Sequence, residues 1–128
     1  LLHATDWVES QIETSGLPVG YFGASTGAAA AIVAATQSGH VLRAMVSRGG
    51  RPDLAMEFLP SVTVPTLLIV GSEDTVVLER NRKALERLGG PRELTVIEGA
   101  THLFEEPGTL EQVAQLAAEW FGRYLKKD

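Results

Sequence analysis

The feature that most constrains this chain is the alternation of short, β-branched apolar runs with longer amphipathic or alanine-rich stretches. The clearest apolar run is residues 64–70, Val-Pro-Thr-Leu-Leu-Ile-Val, with its proline at the start, where a strand tolerates one. Runs at 19–24, 41–47 and 94–97 read the same way. Between them lie helix patterns at roughly 2–14, 26–37, 54–59, 79–88 and 110–125. Gly39 closes the second of these, and Pro60 stops the third, which Asp53 can cap. Strands without polar alternation are buried on both faces, so the predicted fold is α/β. The expectation is a three-layer α/β/α sandwich with a mainly parallel sheet of about four strands. With 128 residues and no internal repeat or linker, residues 1–128 read as a single domain.

Composition narrows the function classes. The formal net charge is −5 and the basic cluster that stands out is the tail pair Lys126–Lys127, so no nucleic-acid partner is expected. No apolar run approaches the roughly 20 residues that span a bilayer, and residues 1–7 lack a signal-peptide pattern. No membrane partner is expected, and the reading is a soluble, cytoplasmic chain. With no cysteine, disulfides and cysteine-ligated zinc are excluded, and no cofactor or metal is implied.

Chemistry concentrates at three points. Gly23-Ala24-Ser25-Thr26-Gly27 lies where the first strand meets the second helix. A sharp strand-to-helix turn projects a serine hydroxyl clear of the backbone, and the flanking glycines are expected to relieve collisions there. The Thr26 N–H, in the first helical turn, is the expected oxyanion donor. Serine needs a base to take its proton, and the chain has His3, His40 and His102. Only His102 follows a strand, and parallel strands gather their following loops on one edge of the sheet. His3 and His40 read as structural or surface residues. Asp74, after the strand at 64–70, is the expected carboxylate partner, with Glu73 its competitor. The order Ser25, Asp74, His102 is that of the α/β-hydrolases.

Arg48 and Arg51 could hold a substrate anion at the site mouth or stand as solvated loop residues. Glu105 and Glu106 read as a solvated turn, and Trp7, Trp120, Phe121 and Tyr124 as packing groups. The segment at 48–62 is too short for a lid domain, so an open site for small esters is expected.

Three stretches, residues 19–29, 64–74 and 99–104, resemble the C-terminal half of an α/β-hydrolase of the dienelactone hydrolase-like branch. Ser-Arg-Gly-Gly-Arg-Pro-Asp at 47–53 is similar to hydrolase domains fused to phosphoribosyltransferases. The resemblance implies Ser25 as nucleophile, Asp74 as acid and His102 as base. Dienelactone hydrolases proper use cysteine as nucleophile, so serine here points to esterase chemistry on a small ester substrate. The resemblance also implies about eight strands, with the elbow after the fifth and a second oxyanion donor from an earlier loop. Only one helix precedes the elbow here, which leaves the nucleophile strand at a sheet edge. A homodimer through that edge is expected. An inactive binding or assembly module, and a domain needing a missing N-terminal half, are the alternatives.

Overall fold

A computed structural model describes residues 1–11, 13–37 and 42–126. Ile12, Gly39, His40, Val41 and Lys127, all used in the sequence reading, lie outside the described residues. Four parallel strands form one sheet in the order β1-β2-β3-β4: β1 Val19–Ala24, β2 Leu42–Arg48, β3 Thr66–Gly71 and β4 Arg92–Ile97. The helices are α1 Leu2–Ser10, α2 Thr26–Ala35, α3 Thr75–Leu85 and α4 Thr109–Tyr124. A 3-10 segment, Pro52–Ser61, connects β2 to β3. This is the expected α/β architecture, with a parallel sheet of four strands.

Strand order and crossover handedness together set the layers. Neighbouring strands joined in sequence by right-handed crossovers put every connecting element on one face of the sheet. α2, the 3-10 segment and α3 accordingly share a face, over a cluster of Tyr21, Ile32, Met45, Leu59, Leu68, Ala84 and Leu88. The alternate strand positions, Ala44, Val46, Leu67 and Ile69, face the other way. There they meet Val113, Ala117 and Trp120 of α4. All six residues of β3 are buried, because β3 is flanked by strands and covered on both faces.

Element ends depart from the sequence reading for local reasons. α1 stops at Ser10, where Gln11 turns extended. On that short helix Thr5 is the buried residue, hydrogen-bonded to the Tyr21 hydroxyl at 2.7 Å. Trp7 is 63% exposed and so is not the packing group expected, and Leu110 at the start of α4 is likewise exposed. The segment expected as a helix at 54–59 is a 3-10 run that contains Pro60. Asp53 does not cap it; its carboxylate accepts from the Arg51 guanidinium at 2.9 and 3.0 Å. α3 begins at Thr75, four residues earlier than expected, so Asp74 stands at its N-cap.

β1 is an edge strand. Gly20 lets the Phe121 ring lie on the strand, since a Cβ there would come within 2.6 Å of Phe121 Cε1. Phe22, two residues on and facing the same side, is 49% exposed. Among the described residues, no helix is long and apolar enough to cross a membrane.

Candidate active site

The site begins with the backbone of Ser25. It joins β1 to α2 at φ 50°, ψ −124°, a conformation that costs a non-glycine residue about 1–3 kcal/mol and must be held by its surroundings. Three main-chain hydrogen bonds hold it. The Ser25 N–H donates to Arg48 O at 3.3 Å, and the Ser25 carbonyl accepts from Ala28 N–H at 3.2 Å and Arg51 N–H at 3.0 Å. Two of these partners lie just at or beyond the end of β2, so pairing of the strands fixes the elbow.

The two glycines of the motif differ in role. A Cβ on Gly23 would stand 2.7 Å from Ala28 Cα and 2.9 Å from Ala28 N, so only glycine lets α2 leave the strand this steeply. At Gly27 nothing lies within 4 Å of an added Cβ. The sequence reading, in which both glycines relieve collisions, is therefore corrected for Gly27.

His102 comes from the loop after β4. Its Nε2 lies 2.7 Å from Ser25 Oγ, and its Nδ1 lies 2.6 Å from Asp74 Oδ2. An ionised Asp74 accepts from Nδ1–H, which leaves the Nε2 lone pair facing the serine hydroxyl. Asp74 has the helix-capping position of α3 but makes no side-chain cap bond; its carboxylate, 14% exposed, is turned to the imidazole instead. The competitor Glu73 contributes its main chain, donating N–H to Ala100 O at 3.0 Å. Thr26 is the first residue of α2, where the N–H has no partner within the helix. The four expected positions thus meet at the carboxyl edge of the sheet. His3 lies away from them, in a groove between α1 and α2 with Leu2, Ala30, Val33 and Ala34.

Sequence reasoning missed the supports of this cluster. Gly49, at φ +53°, runs beneath the imidazole, with His102 Cε1 and Nδ1 3.4 Å from where its Cβ would be. In the sequence, the Gly49-Gly50 pair reads only as a strand end. Asn81, fully buried on α3, donates from Nδ2 to Gly50 O at 3.1 Å and to Val77 O at 2.8 Å, tying this loop to the helix that Asp74 begins. Glu106 is no free turn residue either: its carboxylate accepts from the Thr101 N–H at 2.9 Å and the Thr101 hydroxyl at 2.6 Å.

The arginines near the site are engaged with other groups. Arg51 is paired with Asp53, which also lies 3.9 Å from Arg80. The hydrogen bond from Arg51 holds the Asp53 carboxyl below its usual range. The Arg48 guanidinium carbon is 5.7 Å from the centre of the Phe104 ring.

The family model of the dienelactone hydrolase family matches residues 1–126. The chain is 62% identical over 125 residues to a Mycobacterium tuberculosis protein that carries the name of a phosphoribosyl transferase. That match takes in 98% of this chain and 28% of the longer protein. Among solved structures, the dienelactone hydrolase from Anabaena variabilis superposes with a TM-score of 0.96 at 55% identity, covering 98% of this chain and 58% of that one. Est1E from Butyrivibrio proteoclasticus shares the fold, with a TM-score of 0.82 at 16% identity over 95% of this chain and 66% of that one. The chain therefore spans little more than half of the Anabaena enzyme and under a third of the curated relatives.

Proposed function

The chain belongs to the dienelactone hydrolase family, and on that premise we propose that it is a serine hydrolase of small carboxylic esters. The observation that carries this reading is the continuous hydrogen-bonded line from Ser25 Oγ through His102 to Asp74, at 2.7 and 2.6 Å. In this mechanism His102 Nε2 takes the hydroxyl proton as Ser25 Oγ attacks the ester carbonyl carbon. Asp74 holds the Nδ1–H tautomer and stabilises the imidazolium. The carbonyl oxygen gains its negative charge near the start of α2, where the Thr26 N–H donates to it. His102 then returns the proton to the leaving alkoxide, the C–O bond breaks, and an acyl-serine remains. Water, deprotonated by the same imidazole, attacks that ester and releases acid and free serine.

The test is hydrolysis of p-nitrophenyl acetate and butyrate by the purified chain beside Ser25→Ala. Turnover that disappears in the variant supports the reading; equal background rates in both overturn it.

One observation favours a second reading, in which the site acts only when another strand lies along β1. β1 is a sheet edge with a half-exposed Phe22, and an unpaired edge is a template for association. A homodimer joining two β1 edges about a two-fold axis satisfies it. Size-exclusion mass measured on the assayed sample separates the two: activity in a monomeric peak excludes the requirement.

A further inference from the structure

We propose that Glu106 is a positioning residue for His102, a carboxylate clamp that fixes the histidine turn to the first turn of α4. Its kinetic consequence rests on the hydrolase reading above; its structural consequence does not.

The clamp has two sides. Toward the site, both carboxylate oxygens of Glu106 are used on Thr101, the residue before His102: Oε1 takes the N–H and Oε2 takes the hydroxyl. Toward the helix, the Glu106 carbonyl accepts from the Thr109 N–H at 3.1 Å and the Thr109 hydroxyl at 2.8 Å. Thr109 is buried and is the first residue of α4. One residue thus couples the histidine turn to the helix that covers a face of the sheet.

The rest of the turn explains why a clamp is needed there. Ala100 is fully buried, and its carbonyl accepts from the Glu73 N–H, so the chain entering the turn is anchored to the loop that carries Asp74. After His102 the chain passes Leu103, which is exposed, and Phe104, a buried non-glycine residue at φ 55°. That strained conformation persists only while the surroundings impose it. Without the Glu106 carboxylate, the one contact among the described residues that closes the turn across its mouth is Phe104 N–H to Thr101 O, at 3.2 Å. The imidazole must meet Ser25 and Asp74 together, and a displacement of about 1 Å weakens both contacts.

An ionised carboxylate suits the role because it accepts two donors at once. Glutamine retains a carbonyl for the N–H, and its NH₂ can donate to a rotated threonine hydroxyl. Alanine retains neither contact. The two Thr101 hydrogen bonds also hold the Glu106 carboxyl below its usual range, so the clamp stays ionised into mild acid. Its neighbour Glu105 is exposed and contributes to neither side of the clamp.

The experiment pairs p-nitrophenyl butyrate kinetics with the His102 ring ¹⁵N shifts in Glu106→Ala, Glu106→Gln, Thr101→Val and Glu105→Ala. The expected result is a kcat lower by about 10- to 100-fold in Glu106→Ala, with KM little changed. Glu106→Gln should stay within about fivefold of the parent, the equivalent of one weakened hydrogen bond. Glu105→Ala should be silent. The ring shifts should report a single Nδ1–H tautomer in the parent and in Glu106→Gln, and tautomer averaging in Glu106→Ala. Thr101→Val, which removes one contact and leaves the backbone, gives the intermediate case if the alanine variant does not fold. A single unaltered tautomer in Glu106→Ala and Thr101→Val, with kcat within twofold of the parent, would overturn the proposal. The ring shifts need no turnover, so an inactive parent chain defeats the hydrolase reading while the shifts still decide the role of Glu106.

Discussion

Replacing each glycine of the Gly23-Ala24-Ser25-Thr26-Gly27 elbow by alanine should give opposite results, because the fold demands only one of them. At Gly23 the new methyl would lie 2.7, 2.9 and 2.9 Å from Ala28 Cα, Ala28 N and Gly27 O, all backbone atoms. No rotamer change can relieve those contacts, so α2 must move away from β1. Overpacking of a rigid site costs about 1–3 kcal/mol, and backbone neighbours place this one near the upper end, about 3 kcal/mol. At Gly27 the methyl meets nothing within 4 Å, and the residue is already within α2. The expected change there is neutral to stabilising by up to about 1 kcal/mol, from lower unfolded-state entropy and better helix propensity. For a chain of 128 residues, a difference of about 3–4 kcal/mol separates the two melting temperatures by more than about 10 °C. Thermal melts followed by far-ultraviolet circular dichroism, with urea titrations for the free energies, measure it directly. A Gly27→Ala variant as destabilised as Gly23→Ala, or a Gly23→Ala variant that melts with the parent, would refute the reasoning.

Three further outcomes follow from the same geometry. Asp74→Asn should lower kcat by about 10⁴ with little change in melting temperature, since the amide favours the wrong imidazole tautomer; steady-state kinetics beside a melt check both halves. Asn81→Ala should cost about 1–3 kcal/mol in urea unfolding, because Gly50 O loses a donor inside the core. Asp53 has a folded pKa below its ordinary value of 3.8, so its pairing with Arg51 contributes stability fully above that value. That contribution is lost as pH falls through the lower folded value, and Asp53→Asn should flatten the acid limb of a stability profile below pH 3.8.

What the sequence disclosed, and what it hid, follows from which forces leave a trace in residue type. β3 was legible because a strand flanked by strands and covered on both faces must be apolar throughout. β4 was recovered from Leu94 onward only, because Arg92 and Glu93 are exposed on the other sheet edge and carry no apolar signal. The early start of α3 was hidden by Thr75, Val76 and Val77, whose β-branching reads as strand, although their place after Asp74 makes them helical. Ser25, Asp74 and His102 could be found because each follows a strand in the order that parallel topology makes convergent. Their supports could not. Gly49 matters through a positive φ beneath a ring 53 residues away, Asn81 through a contact to a main-chain carbonyl, and Glu106 through a turn closed on Thr101, five positions back. Such contacts depend on where the backbone runs, and a side-chain pattern does not record it.

The central claim is that Ser25 is a nucleophile made reactive by His102. Its most direct test is the intact mass of the chain after exposure to a fluorophosphonate, beside Ser25→Ala and His102→Ala. One adduct per chain on Ser25, absent in the first variant and strongly slowed in the second, is the predicted result. No adduct, or one that survives Ser25→Ala, would contradict the account.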